Sequence, residues 1–236
     1  MTTYEIAGQT VTMPVEVRDA SAATVIFEVD AAAAAAQCPP AFEVIESSPG
    51  RAQMAIGLID YKDNDLGSYH EVGIILFVRP AGGGPDGNFI TRLPVDQAFT
   101  CEAGNVIWGF PKSVEQIDVV DSDGATTWTL TMDGELVLRM TVPAGGTDVM
   151  DPMRLVSYTL IDGVPHSTAF TQGGSQTSMA FGDGVTLELG SHPVSKELEA
   201  LGLPGPVVLS TWTGKMKATF ETPVALRQEY GPSDGD

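Results

Sequence analysis

Five lysines occur in this chain, and one of them stands apart from the rest. Lys62, Lys196, Lys215 and Lys217 sit among charged, polar or turn-forming neighbours, whereas Lys112 follows the rigid aromatic run Ile107-Trp108-Gly109-Phe110-Pro111. Bulky rings beside an amine strip water from it, which disfavours the ammonium form and lowers the pKa. A lysine amine that is neutral near physiological pH attacks ketones and forms an imine. The alternative is a snorkelling lysine, with its stem on the aromatic patch and its head in water. Glu71 is the second residue of interest. It lies at the start of the apolar run Tyr69 to Val78, where its side chain should share a face with buried neighbours. A carboxylate in that setting has a raised pKa unless a cation answers it, and it can move protons. A strand-end glutamate that reaches solvent is the alternative. Arg18 is a lone cation near a strand entry and carries little on its own.

Other chemistries lack their motifs. His70, His166 and His192 are scattered, with no HExxH or Cys/His cluster, so no metal is expected. The triple glycine at 82–84 is not followed by the lysine of a phosphate-binding loop, and no GxSxG elbow occurs. The net charge of -19, from 12 Lys and Arg against 31 Asp and Glu, repels nucleic acid and anionic membrane surfaces. An anionic substrate would have to be held by local cations against that field. Cys38 and Cys101 form no disulfide framework and suit a reducing cytoplasm. No secretory signal is visible at the N-terminus, and no apolar run approaches the about 18 residues a membrane helix needs. The expectation is a cytoplasmic protein with no nucleic-acid or membrane partner.

The elements that must position Lys112 and Glu71 are mostly strands. Thr24 to Val29, Phe42 to Glu46, Arg51 to Tyr61, Tyr69 to Val78 and Asn88 to Leu93 read as strands, with Tyr69 to Val78 buried on both faces. Asp30 offers an N-cap for a short helix through the alanines to Gln37, stopped by Pro39 and Pro40. A second short helix is expected over Pro94 to Gly104, and a third over Pro193 to Leu201. The Asp-Gly pairs at 123–124 and 133–134 predict hairpin turns. Met153 to Ile161, Thr168 to Phe170, Val185 to Leu189, Val207 to Thr211 and Lys215 to Phe220 supply the remaining strands, and the tail after Tyr230 is expected to fray. Many short strands with few helices predict an α+β, mainly β fold. Its sheet should be a closed or nearly closed antiparallel barrel in one domain spanning 1–236, ordered over about 10–228. Such a barrel can enclose a ligand cavity.

The segment Trp108-Gly109-Phe110-Pro111-Lys112 resembles the active-site segment of the acetoacetate decarboxylase family, in which an aromatic-Pro-Lys run carries the imine-forming lysine. Gly67-Ser68-Tyr69-His70-Glu71 resembles the family's Gly-x-Tyr-x-Glu segment, about 40 residues upstream. Val17-Arg18-Asp19 resembles its early basic position. Ser191-His192-Pro193, Leu201-Gly202-Leu203-Pro204 and Val208-Leu209-Ser210 follow its C-terminal pattern, so the resemblance spans about Arg18 to Phe220.

The resemblance implies an imine on Lys112 and an active-site carboxylate in Glu71, with Arg18 positioning Glu71 or the anionic substrate. It places Trp108, Phe110, Tyr69 and Ser113 at the substrate pocket, needs no cofactor, and implies a homo-oligomer. It also exposes departures. Ser113 stands where well-known members carry a second lysine, Gly104-Asn105-Val106 where they read Gly-Arg-Glu, and a second acidic position falls near Ile56. Desolvation is then expected to lower the Lys112 pKa. The expected function is a Schiff-base lyase that decarboxylates a β-keto acid. The alternatives are a Schiff-base aldolase or dehydratase acting on pyruvate-like acids, and a non-catalytic barrel that binds a small molecule.

Overall fold

The computed structural model describes residues 2–226. The chain opens with a hairpin, β1 (Thr3–Ile6) and β2 (Gln9–Thr12), followed by the long β3 (Val15–Asp30) and α1 (Ala31–Ala36). Then come β4 (Phe42–Val44), β5 (Glu46–Ser48), β6 (Arg51–Asn64), β7 (Tyr69–Pro80) and β8 (Gly87–Val95), leading into α2 (Ala98–Trp108). After β9 (Lys112–Val114) the chain runs through β10 (Gln116–Ser122), β11 (Ala125–Met132), β12 (Glu135–Pro143), β13 (Asp148–Ile161), β14 (Val164–Ala180) and β15 (Thr186–Leu189). α3 (Pro193–Leu201), β16 (Val207–Phe220) and β17 (Val224–Ala225) complete it.

Seven strands close a barrel in the order β7-β6-β3-β16-β14-β13-β8, because β8 also pairs with β7. The pairing is antiparallel around the ring except between β8 and β13, and β9 extends β8 in parallel as well. The expected mainly-β barrel is therefore present, with mixed rather than purely antiparallel pairing. A separate four-stranded sheet, β10-β11-β12-β15, accompanies it.

Strand alternation divides the apolar residues into two cores. Val72, Ile74, Leu76 and Val78 of β7 join Ile56 and Leu58 of β6, Trp128 and Leu138 of the second sheet, and Leu198 of α3. That core lies outside the barrel, since it contains the second sheet. The opposite faces of the same strands give Tyr61, Tyr69, Leu93 and Val95 to a second core, closed by Ile6 of β1 and by Ala103, Ile107 and Trp108 of α2. Both faces of β7 are thus largely buried, as its near-continuous apolar run predicts.

Local signals place the helices with one shift. The Asp30 carboxylate accepts from Ala33 N at 2.8 Å and caps α1, and the His192 ring accepts from Val194 N and caps α3. The middle helix, however, starts at Ala98 and runs to Trp108 instead of covering Pro94 to Gly104. β8 continues through Pro94 and Val95, and the Gln97 side chain provides the cap by accepting from Thr100 N at 2.6 Å. Several strands are also longer than their sequence signals. β16 is one strand from Val207 to Phe220 with a register shift between Thr213 and Met216, and the N-terminal hairpin orders the chain from Thr3. Residues after Tyr230, where fraying is expected, lie outside the described residues.

Candidate active site

Lys112 is delivered by the end of α2. Gly109 ends the helix in the left-handed conformation, at φ 67°. A Cβ there would lie 2.9 Å from the Leu160 carbonyl oxygen, so glycine is required by both conformation and space. Pro111 cannot continue a helix, and its carbonyl accepts from Leu93 N at 3.1 Å, starting the parallel pairing of β9 with β8. In that pairing Lys112 lies opposite Leu93. Glu71 lies opposite Val95 on the other side of β8. Leu93 and Val95 share the inner face, so Lys112 and Glu71 meet across one intervening strand.

The two side chains form a buried ion pair. Lys112 Nζ is 2.8 Å from Glu71 Oε2, and the side chains are 4% and 8% exposed. Nζ also donates to Thr100 Oγ1 at 3.1 Å and lies 4.9 Å from the centre of the Tyr69 ring. Tyr61 stacks on Tyr69 at 4.5 Å, and its hydroxyl donates to the other Glu71 oxygen at 3.3 Å. Carboxylate, hydroxyl and ring thus surround the ammonium, in a setting where an unpaired charge would be costly.

The protonation balance differs from the expected one. Burial alone pulls the Lys112 pKa down, but the Glu71 carboxylate and Tyr69 more than offset it, and the net shift is upward from 10.5. At rest Lys112 is therefore an ammonium paired with a carboxylate. Burial, reinforced by the Glu71 charge, also pushes the Tyr61 phenol well above its ordinary value, which keeps it a proton donor to Glu71.

Trp108 and Phe110 are buried, but they anchor the segment. Trp108 stacks on Phe110 at 5.7 Å, meets Phe220 edge-on at 6.1 Å, and donates from Nε1 to the Glu221 carbonyl at 2.9 Å. The rings that meet the amine and its partner come instead from Tyr69 and Tyr61. Ser113 is paired with Pro94 and faces the opposite side of β9 from Lys112. Ile56 is fully buried in the outer core, so the β6 positions on the same face as Glu71 are Gly57, Ile59 and Tyr61. Arg18 is not brought to the pair. Its side chain is 48% exposed and bonds Asp63 at 2.8 Å and Asp65 at 2.6 Å. These two carboxylates raise its pKa, and the expected contact with Glu71 is absent among the described residues.

Four positioning residues went unrecognised in the sequence: Tyr61, Thr100, Gly104 and Asn105. Asn105 grips the Lys112 backbone at both ends. Its Oδ1 accepts from Lys112 N at 2.9 Å, and its Nδ2 donates to Lys112 O at 3.2 Å. Gly104 makes room for the lysine stem, because a Cβ there would lie 2.5 Å from Lys112 Cδ. Thr100 and Gly104 are one helical turn apart on one face of α2, a spacing that could have signalled their shared role.

The acetoacetate decarboxylase (ADC) family model matches residues 2–225. The chain belongs to the acetoacetate decarboxylase family. Among curated proteins, nothing matches it. Among solved structures it is similar to acetoacetate decarboxylase from Legionella pneumophila, at 19% identity over 91% of this chain and 87% of that one, with a TM-score of 0.66. It is also similar to the enduracididine biosynthesis enzyme MppR complexed with pyruvate, at 17% identity over 95% and 94%, TM-score 0.65. An acetoacetate decarboxylase-like enzyme from Sphingomonas wittichii RW1 matches at 16% identity over 93% and 96%, TM-score 0.57. At these identities the structural likeness establishes the fold, and the family supports an enzyme of the decarboxylase kind.

Proposed function

We propose that this family member is a Schiff-base lyase in which Lys112 forms an imine with a β-keto acid and the acid then loses CO2. The observation that carries the reading is the buried Lys112–Glu71 pair at 2.8 Å, built on the aromatic-Pro-Lys segment. The raised Lys112 pKa sets the order of events. A bound substrate excludes what water remains, and a drier site favours the neutral amine and carboxylic acid over the ion pair. One proton crosses from Nζ to Glu71, and the freed lone pair attacks the ketone. Water leaves to give the protonated imine. This cation accepts the electron pair of the bond to the carboxylate as CO2 departs, leaving an enamine. Glu71, a carboxylate again once the imine has formed, takes a proton from water and passes it to the enamine carbon, and hydrolysis of the resulting protonated imine frees the product and the amine.

Borohydride added with a keto acid should reduce the imine and fix the ligand on Lys112, detectable as a mass increase on that residue. Absence of an adduct, or unchanged turnover in Lys112→Ala, would sink the reading.

A second reading keeps the imine and directs the enamine to an aldehyde, in an aldol or dehydration reaction on a pyruvate-like acid. It is favoured by the apolar wall that Gly57 and Ile59 present beside Glu71, which suits an uncharged aldehyde partner. MppR, which shares the fold, has been captured with the condensation product of pyruvate and imidazole 4-carboxaldehyde. CO2 release separates the two, since an aldolase consumes keto acid and aldehyde without evolving it.

A further inference from the structure

We infer that Thr100 is the second proton carrier of imine formation, relaying a proton between Lys112 Nζ and the oxygen that leaves the substrate carbonyl. The inference rests on the reading that Lys112 forms the imine, and it begins from a proton count. The lysine ammonium carries three N–H protons and the protonated imine keeps one. Two protons must therefore leave nitrogen and depart with the carbonyl oxygen as water.

Glu71 Oε2, at 2.8 Å, takes the first. For the second, Thr100 offers the hydroxyl that accepts directly from Nζ, at 3.1 Å; the Tyr69 side chain also lies beside Nζ, its ring centre 4.9 Å away and its phenol interacting with both Lys112 and Thr100. Tyr61 stands behind Glu71 and bonds its far oxygen. Thr100 is fully buried, so bulk water does not compete for the role. A hydroxyl can accept and donate at once, as a relay requires.

The local structure holds that hydroxyl in place. Thr100 N is bonded to Gln97 Oε1 at 2.6 Å, and Gln97 Nε2 is tied to the Leu66 carbonyl at 3.0 Å. Thr100 is thereby fixed to the turn between β6 and β7, while Gly104, one helical turn on, lets the lysine stem pass.

The steps balance. With its first proton on Glu71, Nζ attacks the carbonyl carbon, and the π electrons move to oxygen, leaving nitrogen positive and oxygen negative. Thr100 Oγ1 takes an N–H proton as its own hydroxyl proton passes to that oxygen, giving a neutral carbinolamine. Glu71 then returns its proton to the same oxygen. The C–O bond breaks, water leaves, and the nitrogen lone pair closes the C=N bond. Thr100 ends as it began, and Glu71 is again a carboxylate.

The test follows adduct formation on Lys112 over time, with acetoacetate and with pyruvate as probes, by borohydride quenching and mass spectrometry. Thr100→Val should slow the approach to the trapped adduct by about 100-fold while reaching the same end point, and Thr100→Ser should stay within about threefold of the parent. An unchanged rate in Thr100→Val, or a Thr100→Ser as slow as Thr100→Val, overturns the relay. The unsubstituted protein supplies a readout that does not depend on a variant folding. In mixtures of light and heavy water its rate should bend with deuterium fraction, as two protons in flight require, and a straight line overturns the relay. If the unsubstituted protein gives no adduct with either probe, the imine reading fails and the relay fails with it. A slow Thr100→Val beside a normal parent separates the two claims.

Discussion

Among the ion-paired groups on the β6–β7 hairpin, those paired with Arg18 and with Lys112 look alike in distance and differ in almost everything else. Near its turn, Arg18 bonds Asp63 and Asp65 at 2.8 and 2.6 Å, with side chains between 36% and 58% exposed. On the strand that follows, Glu71 bonds Lys112 at 2.8 Å with both side chains below 10% exposed. Water screens the first pair, and neither member can be made reactive by its neighbour. The second pair is cut off from water, so each charge exists only because the other answers it, and a proton can pass between them. Position within the barrel, more than residue type, separates a surface clasp from a pair that can exchange a proton.

The largest effect should follow from breaking the buried pair on one side only. Lys112→Met leaves Glu71 buried beside Tyr61 without its cation, and a buried charge stranded in this way costs about 3–5 kcal/mol. Turnover should be lost. The double variant Lys112→Met with Glu71→Leu removes both charges and should recover most of that stability without recovering activity. Denaturant midpoints of the two singles and the double form a cycle. A double variant as unstable as the sum of the singles would show that packing, and not the charge pair, accounts for the loss.

The pH dependence sharpens the contrast. The folded-state pKa of Lys112 is raised above 10.5, so the folded chain holds this proton more tightly than the unfolded one. That contribution to stability is present below 10.5 and is lost as pH rises through the higher folded value. In Glu71→Gln the attraction is gone while burial remains, so the Lys112 pKa should fall below its ordinary value. The sign then reverses, and this variant should gain stability as the pH rises through the lowered value. Denaturation from neutral to strongly alkaline pH measures both slopes. Parallel slopes in parent and variant would refute the assignment of Glu71 as the cause of the upward shift.

A smaller effect is expected one helical turn from Thr100. In Gly104→Ala the new methyl would meet Lys112 Cδ at 2.5 Å, while the lysine is held at its backbone by Asn105 and at its amine by Glu71. The stem cannot retreat at both ends. A destabilisation of about 1–3 kcal/mol is expected from the overpacking, with a marked fall in adduct formation as Nζ leaves Glu71. Borohydride trapping beside thermal melting checks both.

These same residues mark how far the sequence was legible. Lys112 and Glu71 were found because each breaks a local pattern, an amine after an aromatic-Pro run and a carboxylate at the head of an apolar strand. The Asp30 cap and the Asp-Gly turns were legible because their chemistry is local. Tyr61 and Thr100 were not, since an aromatic in a strand and a threonine in a helix are ordinary until register sets them beside the pair. Asn105 acts on a backbone seven residues away, across a turn whose shape depends on Gly109 being left-handed. The aromatic flank is buried, as its composition suggests, but it does not line the amine. Trp108 reaches Phe220 and Glu221 instead, contacts made by the far end of the chain that no local pattern announces. β16 read as two strands because its register shift between Thr213 and Met216 interrupts the alternation.

The smallest effect should come from the surface clasp, and there the geometry disagrees with the resemblance. Family pattern assigns Arg18 to the active site, whereas its guanidinium is committed to Asp63 and Asp65 in water. Asp65 also accepts from the Glu16 backbone at 2.8 Å, so the hairpin turn keeps a tie to β3 when the arginine is removed. Arg18→Ala should therefore leave adduct formation on Lys112 within about twofold of the parent, and any small loss of stability should vanish as salt is raised. If instead the variant raises the KM for a keto acid strongly while the chain stays folded, Arg18 reaches the anionic substrate after all. The surface clasp and the buried pair would then belong to one site.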